Sequence, residues 1–271
     1  MAEASFVLPV ADVLDAFKAG EPIIMVDDAD RENEGDIVIA SEAVTAEHMA
    51  FMMEEARGLI CVTLSAEKAK SLELPLQVKH NNSPYQTAFT VSVDAKVVAA
   101  NGVEAAARAE TVRAIQSAEA RADYFVTPGH IFPLISHRSG VLGRRGQTEG
   151  SYDLARLSGF SDSAVICEIL NPDGSMARGD SLLAFAKKHS LLITSVEEVL
   201  RYRVNQEILV RNVGSVERET NFGTWTTYIF EDDVDGKEHL ALVYGEPDSG
   251  DSGALIRIHS ECLTGDVFSS R

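Results

Sequence analysis

A short, densely acidic stretch between two apolar runs is the feature that most constrains how this chain folds. Residues 27–36 read Asp-Asp-Ala-Asp-Arg-Glu-Asn-Glu-Gly-Asp, with six carboxylates and one arginine. The apolar runs at 23–26 and 37–40 are typical of buried strands, so the acidic stretch is predicted to be the loop that joins them. So many like charges are tolerated in a solvated turn, or in a loop filled by a divalent cation and a polar substrate. Residues 27–36 are called the acidic loop below.

The composition favours a globular protein and argues against nucleic-acid-binding, membrane-spanning and disulfide-rich classes. The 271 residues are 45% hydrophobic and 24% charged, which is ordinary for a globular protein with one large domain or a domain plus a smaller unit. The net charge of −18 disfavours binding to nucleic acid and to anionic membranes. The three cysteines are far apart in sequence, which indicates no disulfide framework and predicts a reducing, cytoplasmic location. We expect neither a membrane span nor a secretory signal.

Helical and strand patterns interleave up to about residue 205, which predicts an α/β (α+β layered) domain over 1–205. After that point short β-like runs dominate at 207–230 and 239–244, which predicts a second, β-rich part over 206–271. Thr127 to His130 is predicted to be a turn, as is 171–174. The predicted helices are 9–20, 45–57 closed by Gly58, 103–121, 180–189 and one capped by Ser195, and the other predicted strands are 59–64, 88–93, 165–170 and 191–194.

Residues 138–150, called the arginine segment below, form the one local basic cluster of the sequence. Arg138, Arg144 and Arg145 alternate there with four glycines. Glycines let backbone N–H groups approach an anion closely, and arginine binds phosphate in a bidentate manner. The segment is therefore either a phosphate-binding loop or a solvated flexible loop.

The acidic loop closely resembles the signature loop of the 3,4-dihydroxy-2-butanone 4-phosphate synthase family, and the resemblance covers residues 1–205. Residues 237–243 and 259–267 resemble GTP cyclohydrolase II, so the order of parts resembles that of the bifunctional riboflavin protein. The resemblance implies a synthase-like domain with a mixed sheet and packed helices, followed by a partial, β-rich cyclohydrolase-like segment. Because only Cys262 of that family's three zinc-binding cysteines is present, we expect neither zinc nor cyclohydrolase activity in this chain.

The resemblance also implies a reaction and a set of site residues. The family is a carbon–carbon lyase of riboflavin biosynthesis that converts ribulose 5-phosphate into 3,4-dihydroxy-2-butanone 4-phosphate and formate. It uses Mg²⁺ or Mn²⁺ and works as a homodimer with shared active sites. By position, the family's roles assign Glu32 to the metal; Arg31, Glu34, Asp36, Cys61 and Glu168 to catalysis; and Asp27, Asp30, Arg144, Gln147 and Thr148 to substrate binding.

The chain departs from the family pattern at several positions. Gln147 stands where the family motif has a metal-binding histidine, and a glutamine offers a neutral oxygen that does not titrate. Asn101, Ala107 and Thr127 replace a threonine, an aspartate and an arginine, and Gln86 replaces a glycine. Three hypotheses follow: a working synthase, a diverged homologue acting on another sugar phosphate or related phosphorylated metabolite in a specialised pathway, and a non-catalytic regulatory partner of an active riboflavin enzyme.

Overall fold

The computed structural model describes residues 6–247 and 253–268. Its contacts divide the chain into two compact units, Met1–Glu207 and Ile208–Arg271. The first unit is built on a seven-stranded mixed sheet, and we number its strands in chain order: β1 Ile23–Val26, β2 Gly35–Ala40, β3 Cys61–Leu64, β4 Val93–Ala95, β5 Phe125–Ile135, β6 Ala164–Glu168 and β7 Ile193–Ser195. The spatial order of the strands is β4-β5-β3-β6-β2-β1-β7.

The two apolar runs pair as predicted, since β1 and β2 are antiparallel and the acidic loop connects them. Every residue of β2 is buried, because helices cover both faces of the sheet. The helices are α1 Val10–Lys18, α2 Ala46–Phe51, α3 Ala66–Ser71, α4 Ala105–Gln116, α5 Gln147–Leu157, α6 Asp180–His189 and α7 Val196–Gln206. Helices α2, α4 and α6 contribute to one apolar core, and α1, α5 and α7 to the other.

Several local predictions are confirmed. The helix at 180–189 has the predicted bounds. The Ser195 hydroxyl accepts a hydrogen bond from the Glu198 N–H at 3.1 Å, which caps α7 as the sequence indicates. The strand predicted at 165–170 is β6, one residue displaced at its start.

Other local predictions are wrong. Residues 127–130 lie inside β5 rather than in a turn, with a cis Thr127–Pro128 bond and a register shift in the paired strand β4. The strand expected at 88–93 consists of isolated bridges, and regular pairing begins only at Val93. Helix α4 is shorter than the predicted 103–121. The helix after Thr45 ends in a π turn, Met52–Ala56, and its left-handed residue is Arg57, not Gly58.

The second unit contains a three-stranded antiparallel sheet, ordered β10-β9-β8. Its strands are β8 Val210–Thr220, β9 Gly223–Asp232 and β10 Glu238–Val243. A single π turn, Leu263–Val267, follows. Across both described stretches of the chain, helices are too short or too polar to cross a bilayer.

Candidate functional site

Strand pairing brings the acidic side chains to one edge of the sheet. Asp36, the second residue of β2, lies directly opposite Glu168, the last residue of β6. Cys61 begins the next strand, β3, which also pairs with β6. Residues directly opposite each other on antiparallel strands point to the same face, so the Asp36 and Glu168 carboxylates are neighbours. The predicted catalytic residues Asp36, Cys61 and Glu168 are therefore together.

The Glu168 carboxylate is held by the chain that leads into β3. The Leu59 N–H donates to Glu168 Oε2 at 2.7 Å. Gly58 is needed for this approach, because a Cβ there would overlap the backbone and the carboxylate of Glu168. The glycine predicted to end a helix thus serves to seat a site carboxylate.

Asp27 organises the acidic loop from inside. Its Oδ2 accepts from Arg31 Nη1 at 2.8 Å and from the Glu32 N–H at 3.1 Å, and its Oδ1 accepts from the Glu34 N–H at 2.9 Å. With no exposed side-chain surface and both oxygens used, Asp27 fixes the loop backbone and the directions of Glu32 and Glu34. Asp30, by contrast, is exposed and contributes an N–H to Asp28 Oδ1.

Arg31 links the acidic loop to the start of α5. Besides Asp27, its Nη1 donates to Gln147 Oε1 at 3.0 Å, and its Nη2 lies 2.9 Å from Glu32 Oε1. The guanidinium also stacks on the Tyr85 ring, 4.9 Å from its centroid. Gln147 is buried, and its Nε2 has no partner among the described residues. Because arginine is only a donor, the Arg31 contact fixes which end of the Gln147 amide is the oxygen.

The predicted phosphate residues lie on the arginine segment, with Gln147 and Thr148 forming the first turn of α5. Arg144 Nη1 bonds Glu149 Oε2 at 2.6 Å, while Nη2 donates to the Tyr85 carbonyl and the Thr87 hydroxyl at 3.1 Å each. No side chain caps α5 at its N-cap residue, Gly146. The backbone N–H groups of a helix N-terminus attract anions. Sequence reasoning missed this helix.

Burial and the repulsion of nearby carboxylates raise the pKa of three carboxyls of the acidic loop, Glu32, Glu34 and Asp36. Burial is the main cause for Glu32, and Asp27 and Glu168 add to it while Arg31 opposes it. Burial also raises the pKa of Glu34, with Glu32 and Glu168 next. The pKa of Asp36 rises well above its ordinary value because it is buried and faces Glu168 and Glu34. Carboxyls in this condition can hold and release protons nearer neutral pH.

Cys61 is buried at the same edge. Burial raises the pKa of its thiol well above the ordinary value, and the Glu168 and Asp36 charges add to the effect. The side chain is therefore a neutral thiol at neutral pH, and it can line the site or donate a weak hydrogen bond.

The donor set suits a hard divalent cation. Carboxylate oxygens that raise each other's pKa would be stabilised by a positive ion, and Mg²⁺ needs only one or two protein carboxylates besides water and substrate. Glu32, the predicted metal ligand, stands in this group with Arg31 against its carboxylate. Within residues 6–247 and 253–268, no group of three or more histidine, cysteine, aspartate or glutamate side chains is arranged to enclose a metal ion. The residues thus fit a partly hydrated cation that also contacts substrate.

A second polar group lies near the positions that the sequence predicts to depart from the family pattern. His130 Nδ1 lies 2.7 Å from Asp94 Oδ2, and Gly102 packs so closely on this pair that a Cβ would overlap it. Arg108 donates to the His130 carbonyl at 3.3 Å. His130 comes two residues before Phe132, which pairs with Cys61 across β5 and β3. Among the residues predicted to depart from that pattern, Ala107 is buried on α4, Asn101 is exposed, and the Thr127 hydroxyl donates to the Ser92 carbonyl.

Three residues that the sequence analysis did not single out contact the site. Tyr85 donates its hydroxyl to the Arg31 carbonyl at 2.6 Å. Glu149 pairs with Arg144 and accepts from the His137 N–H. Arg178 contacts the backbone of the acidic loop. Glu149 stands inside the arginine segment, two residues after Gln147, and could have been found there, whereas nothing local marks Tyr85 or Arg178.

Comparison with known families gives two matches along the chain. The model for 3,4-dihydroxy-2-butanone 4-phosphate synthase matches residues 11–202, and the model for GTP cyclohydrolase II matches residues 210–271. "Riboflavin biosynthesis protein RibBA" of Bacillus subtilis (strain 168) is 47% identical over 262 residues, which are 97% of this chain and 66% of that protein. The chain thus spans just under two thirds of the length of this relative.

Solved structures agree with the fold. RibBX of A. baumannii, described as a two-domain 3,4-dihydroxy-2-butanone 4-phosphate synthase, has a TM-score of 0.81 and 41% identity over 90% of this chain and 72% of that one. A 3,4-dihydroxy-2-butanone 4-phosphate synthase in complex with two magnesium ions has a TM-score of 0.70 and 40% identity, and the match covers 73% of this chain and 98% of that one.

Proposed function

We propose that this chain, which belongs to the 3,4-dihydroxy-2-butanone 4-phosphate synthase family, converts ribulose 5-phosphate into 3,4-dihydroxy-2-butanone 4-phosphate and formate for riboflavin biosynthesis. The observation that carries the proposal is the group of carboxyls with raised pKa values at one sheet edge, Glu32, Glu34 and Asp36, beside Glu168. The reaction requires enolisation, loss of water, a skeletal shift and release of formate, and each step moves protons. Several carboxyls that titrate nearer neutral pH suit such chemistry.

The chain's own residues divide between proton transfer and binding. Asp36 and Glu168 face each other across β2 and β6 and can exchange protons with one bound substrate. Glu34, aimed by the Asp27 contact with its N–H, is the third acid–base group. Arg31 and Asp30 are proposed to contact substrate from the acidic loop, and Cys61 to line the site as a neutral thiol.

The phosphate is proposed to bind where α5 begins. Arg144, Thr148 and the free N–H groups of the first turn supply the charge and the donors that a phosphate needs. Arg144 is now paired with Glu149, so substrate binding would exchange part of that pairing for phosphate contacts. Gln147 can bind a substrate oxygen through Nε2, the amide atom that Arg31 leaves unpaired.

A divalent cation, Mg²⁺ or Mn²⁺, is proposed to bind at Glu32 and to polarise the substrate carbonyl and hydroxyls. We further propose that Gln147 occupies the position of a family metal ligand without acting as one, because its oxygen lies against the positive charge of Arg31, which disfavours a cation there. Residues 1–205 would form the synthase-like domain and 206–271 a GTP cyclohydrolase II-like segment. A cytoplasmic homodimer with shared active sites completes the proposal.

Formate release from ribulose 5-phosphate and Mg²⁺ tests the proposal. Wild type should produce formate, and Glu32→Ala should abolish it while leaving thermal unfolding nearly unchanged. Light scattering on the same samples would give the oligomeric state. If wild type releases no formate at high enzyme and metal concentrations, the synthase proposal fails, and depletion from a panel of other sugar phosphates would identify a diverged substrate.

A further inference from the structure

Arg178 reaches the acidic loop from outside, opposite to the contacts that Asp27 makes from inside. Its Nε donates to the Asn33 carbonyl at 2.6 Å, and its Nη2 donates to the Glu32 carbonyl at 3.0 Å. The same Nη2 lies 3.7 Å from Glu34 Oε1. One guanidinium thus contacts three consecutive residues of the loop.

The part of the loop that Arg178 holds has an unusual backbone. Asn33 has φ of 53°, in the left-handed region that residues other than glycine seldom adopt. Such a conformation persists when surrounding contacts fix it. The Asn33 N–H donates to the Asp28 carbonyl on one side, and its carbonyl accepts from Arg178 on the other.

The base of Arg178 is itself fixed, and it is tied to the strand that carries Glu168. The Ser181 hydroxyl accepts from the Arg178 N–H at 3.0 Å. The preceding residue, Ala177, donates its N–H to the Ile169 carbonyl at 2.9 Å, and Ile169 donates to the Gly35 carbonyl at 2.9 Å. Arg178 therefore spans from the segment just after Glu168 to the middle of the acidic loop.

We propose that Arg178 is a positioning residue that sets the acidic loop against Glu168, so that the Glu32 and Glu34 carboxylates face one substrate and its cation. The expected effect of Arg178 on catalysis rests on the proposed function. The effect of Arg178 on the conformation of the acidic loop does not, and it can be measured without turnover. A planar guanidinium can donate to two carbonyls at once, whereas lysine presents a single nitrogen. Charge is therefore not sufficient, and the shape of the side chain matters.

The test compares Arg178→Lys and Arg178→Ala with wild type. Loss of one or two charge-assisted hydrogen bonds should raise the Mg²⁺ concentration for half-maximal formate production by roughly 10- to 100-fold. Amide hydrogen exchange of residues 28–34 should accelerate, while exchange in β2 stays unchanged. Added methylguanidinium should restore part of the activity of Arg178→Ala. The control is Arg113→Ala, whose guanidinium pairs with exposed Glu110 on the surface of α4.

Unchanged Mg²⁺ dependence and unchanged loop exchange in Arg178→Lys would overturn the proposal. A general loss of stability with faster exchange in every strand, and no rescue by methylguanidinium, would also overturn it, since Arg178 would then support the fold as a whole. If wild type produced no formate, the proposed function would fail, and the loop exchange of the two variants would still decide the role of Arg178.

Discussion

The acidic loop and the arginine segment lie on two sides of the same site, and they handle charge in opposite ways. In the acidic loop, Glu32 and Glu34 are partly buried near other carboxylates, and the pKa of each is raised. In the arginine segment, Arg144 is neutralised by Glu149, which is buried beneath it. The acidic loop therefore carries mutually repelling carboxylates, and binding of a proton or a cation reduces that repulsion. The arginine segment instead carries a complete ion pair, which an incoming anion must partly break. The difference supports the proposed division of roles, with proton transfer at the acidic loop (the acidic side) and phosphate binding at the start of α5 (the helical side).

The largest effect should come from Glu168→Gln on the acidic side. The change keeps the size of the side chain but removes its ability to exchange a proton. Formate turnover should fall by roughly 10²–10⁴-fold, the usual contribution of an acid–base group. Steady-state kinetics should place the loss in kcat, with the KM for ribulose 5-phosphate little changed.

A matched control for that variant is Glu110→Gln, which removes a carboxylate from the exposed surface of α4. Its turnover should equal that of wild type. Equal turnover in Glu168→Gln and Glu110→Gln would remove Glu168 from the catalytic group.

On the helical side, Arg144→Lys should affect binding more than turnover. Lysine keeps the charge but cannot reach Glu149, the Tyr85 carbonyl and the Thr87 hydroxyl together. Losing one charge-assisted hydrogen bond, about 1.5–3 kcal/mol, should raise the KM by roughly 10- to 100-fold. Inhibition by inorganic phosphate should weaken in parallel. A fall confined to kcat would instead mean that Arg144 acts in the chemical step and not in substrate binding.

The unfavourable charge of the acidic side should also appear in stability. The folded state raises the pKa of Asp36, so it binds that proton more tightly than the unfolded chain does. The resulting penalty is absent below the unfolded value near 3.8 and grows as pH rises towards the folded value. Asp36→Asn should therefore unfold at a higher temperature than wild type at neutral pH.

Thermal unfolding at several pH values, in the presence of a chelator, measures the gain in unfolding temperature of Asp36→Asn over wild type. It should disappear in acid and should shrink when Mg²⁺ is added, because the cation offsets the same charge. A variant that is less stable than wild type at neutral pH would mean that the Asp36 carboxylate is stabilised by partners other than those described.

Local patterns predicted the elements that are marked by a continuous apolar run, by helical periodicity or by a capping residue. The strands on both sides of the acidic loop, helix α6 and the Ser195 cap all follow from residues close in sequence. Asp36, at the end of the loop, lies opposite Glu168 through the pairing of β2 with β6, and the catalytic role that the resemblance implies for both stays a prediction.

Features that depend on distant contacts escaped prediction. The start of α5 is polar and glycine-rich, and its buried Gln147 and Glu149 side chains bond to Arg31 and Arg144. Its sequence therefore looked like a loop. The Pro128-Gly129 pair indicated a turn, yet β4 approaches Gly129 so closely that a Cβ would overlap its backbone, and the strand continues through the bulge.

Gln147 tests how the two sides of the site are connected, because it is the first residue of α5 and its side chain bonds to Arg31 of the acidic loop. Its oxygen lies against the positive charge of Arg31, which disfavours a cation there, and its Nε2 has no partner among the described residues. Histidine at this position can present a lone pair to a cation, so Gln147→His should tighten Mg²⁺ binding by about 10-fold, the lower end of the usual effect of supporting groups at metal sites. Gln147→Leu, which removes both amide atoms, is the control and should weaken substrate binding without tightening the cation. Mn²⁺ titration followed by electron paramagnetic resonance measures the affinity directly, independent of turnover.

Tighter binding with faster formate release would mean that cation binding limits the rate of the wild-type reaction. If Gln147→His binds the cation no better than wild type, Arg31 keeps residue 147 out of the metal site whatever its side chain, and the two sides meet through that contact alone.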